Sequence, residues 1–264
     1  MNTLEKEMLS LLKNGKNDLG FTHVRAEFES EGIREDEILR LIELTFRADL
    51  DLIIKIGGCE AVTDLMKAKQ LGAGVIIAPM IESSYAVCKF VQSVNRVYAE
   101  QERMDIEFLI NIETIMGYEQ REAIIDKVAA CSLTGAVFGR VDFCGSLGIH
   151  RRDANKPEIT RRIKEVGLLC QQHNLQFAVG GGIDAESVPT LREIHTTHLK
   201  RYETRKIAFD ASVVSHNIAH RGLIEASRFE LLWLKNKCNY YKNLSAEDQE
   251  RLKMLERRVI SLAA

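Results

Sequence analysis

Two carboxylates stand where apolar runs end. Glu113 closes LINIET and Asp142 sits in VFGRVDF. A carboxylate buried at a strand end is costly unless it finds a partner. Two of them on adjacent strands can converge on one point. With waters and substrate oxygens they then form a hard-oxygen site suited to Mg²⁺ or Mn²⁺, which takes one or two carboxylates and keeps several waters. Position alone leaves a second reading open, in which each pairs with a base: Arg140 lies beside Asp142, and Lys55 can reach Glu113. Other polar groups fall at the ends of apolar runs, namely Glu27 and Glu29, Lys55, Glu82 and a turn at Gly180–Gly182. His150-Arg151-Arg152 is either a loop that grips a phosphate or carboxylate or a solvated turn before Pro157. The polar stretch from His195 to Lys206 precedes an apolar run, and residues at strand starts face the stability end of a barrel. A strand beginning earlier, near Leu199, would instead place Arg205 inside.

The elements that position these groups alternate. Apolar runs rich in Val, Ile and Phe cover Gly20–Phe28, Leu50–Gly57, Gly74–Ile81, Glu107–Thr114, Ala136–Phe143, Gln176–Ile183 and Lys206–Ala211. Near-continuous apolarity fits strands buried on both faces. Helical patterns fill the gaps, several with an N-cap residue such as Asp184. Strand–helix alternation implies parallel strands with right-handed crossovers, and catalytic groups then lie at the C-terminal strand ends. Seven runs are one short of a closed barrel, so one strand is missing, unrecognised or replaced. Residues 212–264 read as a helical tail, with Ser245 and Asp248 opening a separate capped helix; the tail packs on the barrel or on a neighbouring subunit. No linker divides the chain, which reads as one domain over 1–264.

Composition excludes several classes. Net charge is −2 and aromatics are 6%, so neither a basic footprint nor a stacking surface for nucleic acid is present. No apolar run reaches the roughly 18 residues of a membrane span, and the charged N-terminus lacks a signal-peptide core. The six cysteines form no C-x-x-C pair and read as reduced thiols in a cytoplasmic protein. Cys59 and Cys144 fall near the carboxylates but lack a base to activate them. VGGGID lacks the spacing of a dinucleotide fingerprint.

Three segments in order carry a resemblance. KIGGCEAVTDLMKAKQLGAGVIIAPMIES, INIET and FGRVDFCGSLG resemble the basic strand, the Q-(I/V)-E-T strand and the G-x-x-D-L segment of the HpcH/HpaI aldolase and citrate lyase β-subunit family. The resemblance spans roughly residues 50–185. It implies a TIM-type (β/α) barrel whose first strand is atypical or missing here, with a C-terminal helical extension. It implies metal ligation by Glu113 and Asp142, with backbone N–H groups of Gly139, Arg140 and Val141 on the substrate carboxylate. The activity implied is a carbon–carbon lyase or aldolase that uses the metal as a Lewis acid on a small keto-acid such as pyruvate or oxaloacetate. Assembly as a trimer or hexamer is implied too.

The chain departs from that pattern on the acid–base side. Lys55 stands where the family has an enolate-stabilising arginine, an exchange that keeps charge but loses the bidentate fork. Where the aldolase branch has D-G-E-H the chain reads RAEFESE, so Glu27 takes the acidic position and no histidine follows. Lys55 and Glu27 are the expected catalytic groups, and Arg151 an expected substrate contact. The departures leave two alternatives: another metal–enolate reaction such as phosphotransfer or isomerisation, or a non-catalytic barrel used for binding or assembly.

Overall fold

The computed structural model describes residues 1–28 and 30–263. Its strands are β1 (Phe21–Glu27), β2 (Asp51–Lys55), β3 (Val75–Ala78), β4 (Glu107–Ile112), β5 (Gly135–Gly139), β6 (Gln176–Gly180), β7 (Arg201–Glu203) and β8 (Ile207–Asp210). The helices are α1 (Thr3–Asp18), α2 (Glu35–Arg47), α3 (Val62–Gln70), α4 (Ser84–Val97), α5 (Glu100–Arg103), α6 (Ile115–Glu119), α7 (Arg121–Ala130), α8 (Arg140–Ser146), α9 (Pro157–Gln172), α10 (Val188–His195) and α11 (Ile218–Ala263). Caps fall where side chains allow them. Ser83 accepts from the Ala86 amide at the start of α4, Pro157 occupies the first turn of α9, and Asp184 accepts from Ser187 N–H ahead of α10.

The sheet closes on itself in the order β1 to β8. Strands β1 to β7 pair in parallel, each with the next. β8 is antiparallel to both β7 and β1 and fills the gap between them. The barrel is therefore complete, and of the three alternatives left open for the eighth strand (missing, unrecognised or replaced) the structure decides for an unrecognised one. The unrecognised strand is β7, Arg201-Tyr202-Glu203. It escaped a search for apolar runs because two of its three side chains are charged and point into the barrel. The expectation for the polar stretch before Lys206 also reverses. Because β8 runs antiparallel, its start lies at the same end as the C-termini of the parallel strands, so Thr204–Lys206 sit at the mouth.

Alternation along each strand sorts the side chains. Phe108, Ile110 and Ile112 of β4 pack outward against the helices. Leu109 joins Ile53, Val75, Ile77, Val137, Ala178 and Ala208 in a separate cluster that plugs the lumen. By the same period of two, Asn111 and Glu113 face the lumen above Leu109, Arg25 and Glu27 face it from β1, and Lys55 faces it above Ile53. Below the plug, Arg201 lies 3.1 Å from Glu107, which also accepts from Gln176 at 2.8 Å.

The tail departs from expectation in one respect. α11 is one continuous helix of 46 residues, so no separate capped helix begins at Ser245. Ala219, Leu223, Ala226, Phe229 and Trp233 are buried, whereas residues 242–260 are exposed throughout. Among the described residues no helix is long and apolar enough to cross a membrane.

Candidate active site

Glu113 follows β4 and is 1% exposed. Three donors meet its two oxygens. Lys55 Nζ lies 3.0 Å from Oε2, Asn111 Nδ2 donates to the same oxygen at 2.7 Å, and the Met80 amide donates to Oε1 at 3.0 Å. Met80 adopts a φ of +51°, a left-handed conformation that a side-chain-bearing residue seldom takes. It is found where a local arrangement demands it; here it accompanies the turn that brings the Met80 amide to the carboxylate. Burial pushes the Glu113 carboxyl above its ordinary range; Lys55 and the Met80 amide oppose this, and the nearby Asp142 charge adds to it.

Gly139, at the end of β5, lies directly against Glu113. A Cβ on Gly139 would stand 2.6 Å from both Cβ and Oε2 of Glu113, so any side chain there would displace the carboxylate. β5 stops at this residue, which corrects the expected strand over 136–143 and moves Asp142 from a strand to the first turn of α8. Asp142 is exposed there and lines the mouth cavity.

Arg140 explains why the strand stops. Its guanidinium is fully buried and turns away from the cavity. It donates to Gly181 O at 3.0 Å, Gly182 O at 2.9 Å and Asn155 Oδ1 at 2.8 Å. The Arg140 side chain thus holds the glycine turn after β6. What remains for a substrate is backbone. The first amides of a helix have no partner within it, and Gly181 keeps those of Arg140 and Val141 uncovered. A Cβ at Gly181 would lie 2.8 Å from Val141 N and 3.0 Å from Arg140 N, and its φ is +87°.

The opposite wall holds residues that the sequence reading passed over. Arg25 on β1 is 7% exposed. Its Nε lies 2.9 Å from Glu203 Oε2, Nη1 donates to Thr204 O at 2.9 Å, and Nη2 lies 3.1 Å from Glu27 Oε1. Glu203 is fully buried between Arg25 and Arg201. Glu27 also accepts from the Ser30 hydroxyl. Burial alone would raise the Glu27 carboxyl, but Arg25, Ser30 and Lys55 outweigh it and hold the group below its ordinary range. The signal for Arg25 was present in VRAE, where Arg25 and Glu27 share one face at a spacing of two. The signal for Asn111 was an amide in the middle of an apolar run, in phase with Glu113.

These groups share a mouth cavity of about 470 Å³. Arg151 and Arg205 stand on its wall too, and Arg205 is drawn toward Glu31 and Glu230 at 3.5 and 4.0 Å. Cys59 and Cys144 do not line it, and burial raises both thiols, so neither is an activated nucleophile. Glu29 lies outside the described residues.

The donor set fits a hard cation. Glu113 and Asp142 offer carboxylate oxygens, and Asn111 Oδ1 is a buried acceptor with no hydrogen-bond partner. Among the described residues no three His, Cys, Asp or Glu side chains gather at one point, so a cation here would keep water or substrate oxygens in its shell. The lining carries five carboxylates, Glu27, Glu113, Asp142, Glu203 and Glu230, against four cations, Arg25, Lys55, Arg151 and Arg205.

A family model, HpcH/HpaI aldolase/citrate lyase, matches residues 39–186, more than half of the chain. The chain belongs to the HpcH/HpaI aldolase/citrate lyase family. Lys55, Asn111, Glu113 and Asp142 fall inside the matched segment; Arg25, Glu27 and Glu203 fall outside it. Solved structures agree on the barrel. An HpcH/HpaI aldolase/citrate lyase family protein from Burkholderia cenocepacia J2315 superposes with a TM-score of 0.61 at 15% identity, over 88% of this chain and 90% of that one. An HpcH/HpaI aldolase from Desulfitobacterium hafniense DCB-2 gives 0.59 at 14% identity, over 77% and 83%. A variant of the citrate synthase SbnG gives 0.55 at 18% identity, over 75% and 81%. At such identities the likeness is one of fold. No match was found among curated proteins.

Proposed function

We propose that the chain is a divalent-metal-dependent carbon–carbon lyase or aldolase acting on a small 2-keto-acid of the pyruvate or oxaloacetate kind. The observation that carries this reading is the set of hard oxygens from Glu113, Asp142 and Asn111, in a cavity with one negative charge in excess. Glu113 and Asp142 would hold Mg²⁺ or Mn²⁺. When bound, the ion supplies Lewis-acid polarisation of the keto oxygen.

The chain's own groups divide the remaining work. Backbone amides from Gly139, at the end of β5, to Asp142, in the first turn of α8, receive the substrate carboxylate. Lys55 is a point charge beside Glu113 and steadies negative charge that develops on the keto oxygen. Glu27 is ionised at neutral pH and takes or returns the proton at the carbon next to the keto group. Arg151, at the rim, meets the far end of the substrate. The exposed apolar residues of the tail, Leu252, Leu255, Val259 and Ile260, suit a homo-oligomer, a trimer or hexamer. Six unpaired cysteines suit a reducing, cytoplasmic setting.

Calorimetric titration with Mn²⁺ and Mg²⁺ tests the reading. One ion should bind per chain, and Asp142→Asn should weaken it. Absence of binding in the unaltered chain would overturn the proposal and favour a barrel that does not use a metal.

A further inference from the structure

The two carboxylates of the proposed metal site occupy one wall of the mouth. The other wall has a structure of its own. Going round the lumen from Glu113, Gly139 and Gly180 come next, and both lack side chains. Gly180 pairs with Gly139 in register and lies against Glu203, whose Oε2 would be 3.8 Å from a Cβ on it. Glu203 in turn abuts Arg25. The two glycines therefore make a flat floor, with Glu113 at one edge and the Arg25–Glu203 pair at the other.

Arg25 is built into that edge. A guanidinium has five N–H donors in a fixed fork. One is given to Thr204 O and one is directed to Glu27, while Nε makes an ion contact with Glu203 Oε2 at 2.9 Å without hydrogen-bond alignment. Two remain, on a side chain that lines the cavity. Glu203, held from behind by Arg201 at 2.9 Å, braces the Nε edge of the fork by charge. The charge of Arg25 is offset by the two carboxylates that flank it. What it offers is directed hydrogen bonding, which an ammonium does not reproduce.

We propose that Arg25 is a catalytic residue whose two uncommitted N–H groups take an oxygen of the keto-acid across the glycine floor from Glu113, and that Glu203 is its positioning residue. This rests on the function proposed above only in naming the keto-acid as the ligand. Lys55, which gives one of its three donors to Glu113, complements this as a point charge and lacks the planar fork. A strictly structural role, pinning the turn at Thr204, is the competing account.

Oxalate, a planar dianion with the shape of an enolised pyruvate, serves as the probe. Its affinity is measured by calorimetry for the full chain and for Arg25→Lys and Glu203→Gln, with and without Mn²⁺. Mn²⁺ affinity is measured separately by its paramagnetic resonance signal, and melting temperature on the same samples. Arg25→Lys should weaken oxalate at least about tenfold, with Mn²⁺ affinity unchanged; loss of one fork costs about one charged hydrogen bond, and each 1.4 kcal/mol is tenfold. Glu203→Gln should weaken oxalate less. Unchanged oxalate affinity in Arg25→Lys overturns the proposal, as does a loss matched by a fall in Mn²⁺ affinity or explained by unfolding at the assay temperature. If the unaltered chain binds no Mn²⁺, the metal reading fails, and oxalate binding without metal still decides the role of Arg25.

Discussion

Replacing Glu113 by Gln removes one charge and little volume, and its effects can be worked from the surroundings. Glu113 is buried, and its carboxyl is pushed up by burial, so ionisation there opposes folding at neutral pH. Lys55 offsets part of that cost through the contact at 3.0 Å. In the absence of metal Glu113→Gln should therefore leave stability unchanged or slightly higher. A bound ion adds RT ln(1 + [L]/Kd) to stability, about 2.7 kcal/mol at a hundredfold excess over Kd. For a chain of this size that raises Tm by about 5–10 °C. Thermal unfolding with and without saturating Mn²⁺ should show this rise in the unaltered chain and none in Glu113→Gln. An equal rise in both would refute the assignment of Glu113 as a ligand. A large loss of stability in the metal-free variant would refute the argument that the buried charge is a cost.

Other expectations follow from the same geometry. Gly139→Ala places a methyl 2.6 Å from Glu113 Oε2 and should lower Mn²⁺ affinity by about tenfold, as measured by titration; unchanged affinity would contradict the close packing of strand end and carboxylate. Glu203→Ala leaves two buried guanidiniums without their shared partner and should cost about 3–5 kcal/mol in urea unfolding. Stability should also fall in acid. Burial would raise the carboxyl of Glu203, but Arg25 and Arg201 outweigh it and hold it below the ordinary carboxylate range; Glu5 and Glu37 are lowered as well. Carboxyls depressed in the folded state contribute stability above about 4.5, and that contribution is lost as pH falls through their folded values. Tm should be level above pH 5 and drop below 4.5, and a Tm unmoved down to pH 3 would count against these pairs. A chain ending at residue 243 removes a segment whose described positions, 244–260, are all exposed, so Tm should hold while light scattering reports a smaller assembly.

The parts of the molecule legible in the sequence are those whose physics is local. Strands β1 to β6 and β8 announced themselves because parallel strands buried on both faces need continuous apolar runs. Glu113 and Asp142 stood out as carboxylates where such runs end. β7 was hidden by its inward charges, whose partners Glu107 and Arg25 lie 94 and 178 positions away in the chain. The end of β5 was hidden for a similar reason. VFGRVDF reads as one strand until Arg140 is seen to reach the carbonyls of Gly181 and Gly182, a contact across 41 and 42 positions. Arg25 and Asn111 were visible as polar residues in phase with Glu27 and Glu113. Their importance depended on which way each strand faced, which the closed barrel decides.

The central claim is that this cavity uses a divalent ion to labilise a proton next to a keto group. The most direct measurement is exchange of the pyruvate methyl protons in D₂O, followed by proton NMR with and without Mg²⁺. The account predicts loss of the methyl signal that requires both the ion and Glu113, and that disappears in Glu113→Gln. Exchange that proceeds equally without metal, or no exchange with saturating metal and intact Glu113, would contradict it.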